Sequence, residues 1–398
     1  MARAGLDVVL LDKADFPRDK TCGDAISARG VHVLEDLGLG SDIHKHAHPI
    51  HAVRITSPSG IEAQARVPDS KGLPGYGVVM PRVKLDDSIR QRAVACGAQF
   101  FGKVHVRELE MGNQAVVVRG DQRGRSTRYR GRAVVLAVGA SLPLVQGLGL
   151  APSHPSYSFA ARAYFEDVEM LGDALEFRFD GVPLPGYGWL FPLSDRTANI
   201  GAGYYHRTAA TPSTAAATLE KLLAHPPIQA RLRRAQQIGP VKGFPIRTDF
   251  TRAHVYAHRL LVAGESAGLV NPFTAEGIDY ALESGQVAGK VLIEACAADD
   301  FGRDRMQAYE RAMRRRFQSM FVIADLMRRA YMRPGLLDPL LAACSRWPVT
   351  ARLLIDVLLS YRHPIAAFSP GILARLLTAM LIGPNPRSRR HWGPGKTA

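Results

Sequence analysis

The chain is short of several things. Its four cysteines, Cys22, Cys96, Cys296 and Cys344, lie far apart and form no CxxC pair, which argues against a disulfide framework and against a sequence-encoded zinc site. No uncharged apolar run is long enough to cross a bilayer, and the N-terminus has no signal-peptide pattern. Acid is in deficit: 36 Asp and Glu face 51 Lys and Arg, a formal net charge of +15. Such an excess favours anionic partners, whether phosphorylated cofactors, diphosphates or lipid head groups. The basic residues are dispersed and form no nucleic-acid reading motif, so nucleic acid is not expected as a partner. Internal repeats are absent, and a reducing cytoplasm fits the cysteine usage.

What is present suits a globular protein of more than one core. With 398 residues, 46% hydrophobic and 22% charged, the chain has the composition to bury two or three interleaved domains. Residues 1–12 read as a helix end, a Gly turn and an apolar strand. "SARGVHVLEDLGLG" has helical spacing, "HAVRITSPSGIEAQARV" alternates like a hairpin around Ser59-Gly60, and "RVKLDDSIRQRAVACGA" returns to a helical period. The strands "FFGKVHVRELE", "QAVVVRG" and "RAVVLAVGA" follow, a strand–helix alternation of α/β type. From about Tyr157 to Phe244, strand-like segments separated by Pro, Gly and Asp suggest an antiparallel sheet, interrupted by the helical "STAAATLEKLLAHPP". The last hundred residues are helical, rich in Arg and Leu, and end in a tail of disordered composition.

"GLDVVLLDK" supplies a Gly turn, an apolar strand and a terminal carboxylate, Asp12. In a dinucleotide-binding βαβ unit the second strand ends in such a carboxylate, about 20 residues after a Gly-rich loop, and the carboxylate accepts hydrogen bonds from a ribose. The first strand and GxGxxG loop are absent from the chain. The expectation is a native reading frame beginning upstream; a short form that cannot retain the nucleotide is the competing account. In "HKHAHPIH", His44, His46 and His48 alternate and would share one face of a strand. No Cys or carboxylate completes a ligand set, so no metal is expected.

"FPRDKTCGD", residues 16–24, resembles the FPR-x-K-x-CG segment of the geranylgeranyl reductase family of flavoproteins, which are built like aromatic hydroxylases. The resemblance implies that Cys22 and Gly23 lie beside the flavin ring. "MPRVKLDDSIRQRA" resembles the family's R-x-x-L/F-D-x-x-L helix, whose leading Arg, here Arg82, reaches the cofactor; Val106 falls at the adenine-side backbone contact. "RAVVLAVGASLP" takes the place of a second fingerprint, with Val138 where an acid is usual. "LLVAGESAGLVNPFTAEGIDYALESG" resembles the family's GD-A-A-G-x-x-x-P-x-x-G-x-G-I, with Glu265 for Asp and Ala275 for Gly. It implies cofactor contacts at Glu265, Gly268, Pro272, Gly277 and Ile278, and a small-residue helix face at Ala281, Gly285, Ala288 and Gly289. "PLPGYGWLFPL" resembles the P-x-x-Y-x-W-x-F-P signature, with Tyr187, Trp189 and Phe191 as the substrate wall and Leu184 where Pro is expected.

The fold implied is α/β: a discontinuous Rossmann-like FAD domain (1–50, 75–150, 243–298), a substrate sheet (51–74, 151–242), a helical region (299–383) and a tail (384–398). The implied activity is FAD-dependent reduction of carbon–carbon double bonds in a geranylgeranyl-type chain, with Cys22 or a neighbour as proton donor and Tyr187 second. The partners are a prenylated small molecule or lipid and NADPH or ferredoxin as electron donor. "FSPGILARLLTAMLIG" and "ARLLIDVLL" suit helices lying on an anionic bilayer and ordinary packing equally well; the expected location is cytoplasmic, with peripheral contact at the inner membrane face left open. Two alternatives stand: a flavin monooxygenase or halogenase, with "YGWLFP" counting against the halogenase, and, if the short form is genuine, a flavin-free prenyl-lipid binder.

Overall fold

The computed structural model describes residues 1–69, 72–205 and 214–382; the tail 384–398 lies outside them. The apolar, β-branched run after the left-handed Gly5 turn (φ 79°) forms the strand Val9–Leu11, which pairs in parallel with Gln99–Phe101. A second parallel pair joins Val134–Leu136 to Leu260–Val262, with Tyr256–Ala257 antiparallel alongside. Val9–Leu11 and Val134–Leu136 are each a sheet edge among the described residues. A three-stranded antiparallel meander, Val104–Met111, Val116–Gln122 and Arg125–Gly131, follows the first pair.

The middle of the chain builds a seven-stranded sheet in the order Gln236–Arg247, Tyr157–Glu166, Ala198–Tyr204, Gly186–Pro192, Ala174–Arg178, Ala52–Thr56, Glu62–Arg66. The sheet is not wholly antiparallel as expected: Ala174–Arg178 pairs in parallel with Ala52–Thr56, because the early hairpin joins its far edge after a long crossover. The strand Gln236–Arg247 also runs past residue 243, carrying the chain from this sheet straight to the Glu265 region. A small sheet of Ala25–Ile26, Gly77–Val79 and His48–Ile50 bridges the two halves.

The long helix Arg303–Tyr331 buries Met306, Tyr309, Met313, Phe317, Phe321, Ala324, Met327 and Tyr331, a stripe at helical spacing. Its first half packs on the parallel pair and its second half joins the helices Pro334–Arg346, Pro348–Leu358 and Pro370–Ile382 over Val53, Ile55 and Ala63 of the large sheet. Each of those three helices begins with Pro, whose fixed φ and missing N–H suit the first helical position. His44 and His46 fall in the helix Gly40–His46 while His48 is in a strand, so they do not share the strand face their alternation suggested. Among the described residues no His, Cys, Asp or Glu group has metal-holding geometry. No described helix is long and apolar enough to cross a membrane.

Candidate active site

Asp12 ends its strand with its backbone tied to the neighbouring segment, Asp12 N to Phe101 O (3.2 Å) and Val104 N to Asp12 O (2.9 Å). Its carboxylate accepts Ala14 N at 2.9 Å and pairs with Arg18 at 3.2 Å. Arg18 reaches Asp86 at 2.7 Å, and Asp86 holds Arg82 through two bonds of 2.7 and 2.8 Å. The Arg82 guanidinium lies beside the Cys22 thiol. Arg82, distant in sequence from both, is therefore brought to Asp12 through Asp86 and Arg18 and to Cys22 directly. Val106 sits two residues beyond the Asp12 contact, at a register shift of the meander.

The segment Asp12–Asp24 forms a strap that also meets the bend after Leu260–Val262. Lys20 Nζ is 3.3 Å from Glu265 Oε2, and Glu265 Oε1 accepts Arg247 N at 3.3 Å. Gly139, left-handed at φ 67°, faces this pair: a Cβ there would lie 3.6 Å from both Glu265 Oε2 and Lys20 Nζ. Gly268 was expected to admit a cofactor closely. In the structure the chain itself also comes close, since a Cβ would lie 2.3 Å from Asp249 Oδ1 and 2.6 Å from Phe250 N, and its φ is 70°. Glycine is required there by packing and conformation.

A third wall is the loop Pro272–Gly277. Asn271 Oδ1 accepts Phe273 N (2.9 Å) and Thr274 N (3.3 Å), shaping the turn. Ala275 has φ 56°, a conformation that costs a non-glycine residue about 1–2 kcal/mol and that Gly, the residue of the resembling motif, adopts freely. Gly277 caps the helix Ile278–Ala297 without a side-chain hydrogen bond, so the first-turn N–H groups lack partners within the helix and carry its positive pole. The small-residue face of this helix does not pack tightly throughout: nothing lies within 4 Å of a Cβ at Gly285, and Gly289 meets only Met1.

Tyr187 donates to Thr274 O at 2.6 Å, fixing the aromatic strand to that loop. Tyr187, Trp189 and Phe191 contact one another in sequence, with ring centroids 6.0 and 6.1 Å apart. Trp189 and Phe191 do not wall an open tunnel; both are buried with Ile50, Val79 and Leu175, because the small bridging sheet covers that face. Gly201, opposite Trp189 in the ladder, makes room for the indole, which a Cβ would overlap at 2.0 Å. Gly23 rests on these rings, its Cβ position 3.1 Å from Phe191 and 3.5 Å from Trp189 Nε1.

Sequence reasoning missed the polar network beneath. Trp189 Nε1 donates to Asn199 Oδ1 (3.0 Å); Asn199 Nδ2 donates to Cys22 O and to Asp24 Oδ2, both at 2.8 Å; Tyr164 donates to Asp24 Oδ2 at 2.7 Å. Asp24 is fully buried, and its φ of 67° turns the chain after Gly23. Burial raises the Asp24 carboxyl to about 6, against the hydrogen bonds of Tyr164 and Asn199, which lower it. The folded protein therefore binds this proton more tightly than the unfolded chain does. Its contribution, about 3 kcal/mol, is complete below about pH 4 and is lost as pH rises through about 6. An isotope-edited NMR titration of Asp24 with its midpoint near that of an ordinary aspartate would contradict this environment.

Burial also pushes the Cys22 thiol up, with Arg82 pulling against it, and raises the Tyr187 hydroxyl, on which the charges of Cys22 and Glu276 also act. Both groups are neutral at physiological pH. A cavity of about 690 Å³ opens nearby, lined by Ser156, Tyr157, Tyr205, Arg252, Phe321 and Arg328 among others. None of the candidate cofactor residues lines it, but Tyr205 packs against Tyr187 with centroids 6.3 Å apart. Arg328 lies over the Tyr205 ring at 5.4 Å, and Arg252 donates to Ser156 Oγ at 2.7 Å.

This donor set fits a flavin dinucleotide. It offers a carboxylate at a strand end, cations at Arg18, Lys20 and Arg82, an acidic bend at Glu265, and a helix N-terminus with free N–H groups.

Residues 1–322 match the FAD binding domain family. The chain is 34% identical over 310 residues to menaquinone reductase of Mycobacterium tuberculosis, covering 73% of this chain and 72% of that protein. It is 28% identical over 340 residues to digeranylgeranylglycerophospholipid reductase 1 of Methanopyrus kandleri, covering 81% and 84%. In fold it resembles a geranylgeranyl bacteriochlorophyll reductase-like protein of Thermoplasma acidophilum, with TM-score 0.79, 21% identity, and 95% and 94% of the two chains covered. A flavin-dependent brominase shares the fold at TM-score 0.67 and 18% identity, covering 96% and 94%. Matched by the family model from its first residue to residue 322, the chain belongs to the FAD binding domain family, among the FAD-dependent oxidoreductases of geranylgeranyl reductase type.

Proposed function

We propose that the protein binds FAD between the Asp12–Asp24 strap, the Glu265 bend and the Pro272–Ile278 loop, and that it reduces isolated double bonds of a prenyl chain. The observation that carries this reading is the convergence of those three segments through Lys20–Glu265 and Tyr187–Thr274. Bound FAD, once reduced, supplies the hydride. The chain's own residues do the rest. Asp12, Arg82, Glu265 and the Gly277–Ile278 N–H groups hold and orient the cofactor, with Cys22, Gly23, Val106, Gly268 and Pro272 shaping its surroundings. Trp189 and Phe191 stiffen the floor under Gly23 and exclude water, and Tyr187 marks the side on which the substrate lies. An unactivated alkene develops no oxyanion, so alignment and dryness contribute much of the rate.

The neutral Cys22 thiol holds a proton at its Sγ, and Tyr187 is the second donor. Replacing Cys22 with Ala is expected to lower kcat by at least about tenfold while KM changes little. Steady-state kinetics with unchanged kcat would remove Cys22 from the chemistry.

The cavity beside Tyr205 supports an amphipathic substrate whose chain passes Tyr205 toward Tyr187, with its polar head among Arg252, Arg328 and Arg329. Exposed Leu373, Leu377 and Leu381 on the helix Pro370–Ile382 support peripheral membrane contact. The reaction is tested by incubating the protein with FAD, dithionite and a panel of prenyl lipids and quinones, then weighing products by mass spectrometry. A gain of one dihydrogen per reduced bond, dependent on FAD, is expected. Unchanged masses across the panel would overturn the reductase reading, and a protein that binds prenyl lipid but no flavin would be a lipid carrier.

A further inference from the structure

Three carboxyls and two guanidiniums meet where the helix Ile278–Ala297 packs on the helix Ala28–Asp36. Glu283 pairs with Arg29 through one oxygen and with Arg316 through the other. Arg29 also lies over the Tyr280 ring at 4.9 Å. Glu276 and Asp279 are within hydrogen-bonding reach of each other and form no direct ion pair with either cation among the described residues. Asp279 is fully buried; Ser27 Oγ donates to its Oδ2, but its Oδ1 has no donor, and Glu276 Oε2 is likewise buried without one. Gly30 is glycine because a Cβ there would lie 2.3 Å from Asp279 Oδ1.

Two carboxylates cannot satisfy each other, since both only accept. One proton between them removes both defects. It also lowers the negative charge of the three carboxyls, which face one buried guanidinium, Arg29, and one exposed guanidinium, Arg316. Burial, and for Glu276 the neighbouring Asp279, raises both carboxyls, in the direction a shared proton requires. Glu276 also lies two residues after Thr274, whose carbonyl holds Tyr187, and its charge acts on the Tyr187 hydroxyl together with that of Cys22.

We infer that Glu276 and Asp279 share one proton and form the store that reprotonates the Cys22 or Tyr187 donor between turnovers. The inference rests on the proposed reductase reading. When the donor gives its proton to the alkene carbon opposite the hydride, it is left as an anion. Glu276 returns a proton to it, the two carboxylates stand against Arg29, and solvent restores the pair. Cys22 and Tyr187, both raised by burial, are bases strong enough to take that proton. The groups facing the pair are Ser27, Arg29 and Tyr361 from beyond its helix, Glu283 and Tyr280 on it, and Arg316 through Glu283.

The test is Glu276→Gln in the full chain, loaded with FAD and reduced. The first turnover is expected at the wild-type rate and later turnovers about 100-fold slower, with KM unchanged. A protonated-carboxyl infrared band in the wild type, recorded at about pH 8, where Asp24 has lost its proton, should vanish in Glu276→Gln, a readout independent of activity. Asp279→Asn, which removes the neighbouring negative charge, should move the alkaline limb of the multiple-turnover rate to lower pH. Wild-type later turnovers in Glu276→Gln, or no such band in the wild type, would overturn the inference. If the wild type reduces no prenyl double bond, the delivery role falls with the reductase reading, and the band alone decides the shared proton.

Discussion

Replacing Arg247 with Met is expected to destabilise the protein by about 3–5 kcal/mol, the cost of leaving one member of a buried ion pair without its partner. Arg247 and Asp249 are both fully buried, 2.7 Å apart. Arg247 also donates to Ser266 O at 2.6 Å, and Asp249 Oδ2 accepts Ser156 N at 3.1 Å. The pair thus pins the end of the large sheet to the Glu265 bend, and the backbone N–H of Arg247 itself holds Glu265. The double variant Arg247→Met, Asp249→Leu removes both charges and should recover most of the loss. Urea midpoints with m-values measure both. A single-variant loss below about 1 kcal/mol would show that the pair is solvated in solution.

Arg82→Met carries the largest expected effect on the cofactor. The Arg82 side chain is 14% exposed, aligned by Asp86, and set beside Cys22 as the first residue of the helix Arg82–Ala95. With FAD held as proposed, losing it removes a fixed cation from the cofactor's surroundings, and FAD affinity should weaken about 100-fold, or about 2.7 kcal/mol. Asp86 keeps Arg18 at 2.7 Å, so the fold should survive. Arg107→Met, which deletes the same charge from the exposed Arg107–Asp121 pair of the meander, is the control and should leave affinity unchanged. Equal losses in the two variants would mean that net charge rather than position governs binding.

The individual walls of the site were legible in the sequence because each is local. A strand ending in Asp12, a bend after Glu265 and a helix starting at Gly277 are written in consecutive residues, and the structure has all three. What joins them was not legible. Lys20 and Glu265 are 245 positions apart, and Ser27 and Asp279 are 252 apart, so nothing local marks either pair. Asn199 and Asp24 escaped notice for the same reason: an Asn on an apolar strand carries no signal until Trp189 and the Cys22 carbonyl are seen on either side of it. The aromatic strand was read correctly as one face but not as a covered one, since the covering sheet comes from residues 25–26, 48–50 and 77–79. Ala275 is the reverse case: a departure from a glycine motif, visible in sequence, that the backbone tolerates at φ 56°.

The measurement closest to the central claim is a titration of FAD with the purified protein, followed by flavin fluorescence and absorbance and repeated with Glu265→Ala and Arg82→Met. The account expects saturable one-to-one binding that perturbs the flavin spectrum and weakens in both variants. Wild-type protein that leaves the flavin spectrum unchanged at saturating concentrations, or variants that bind as well as wild type, would contradict it.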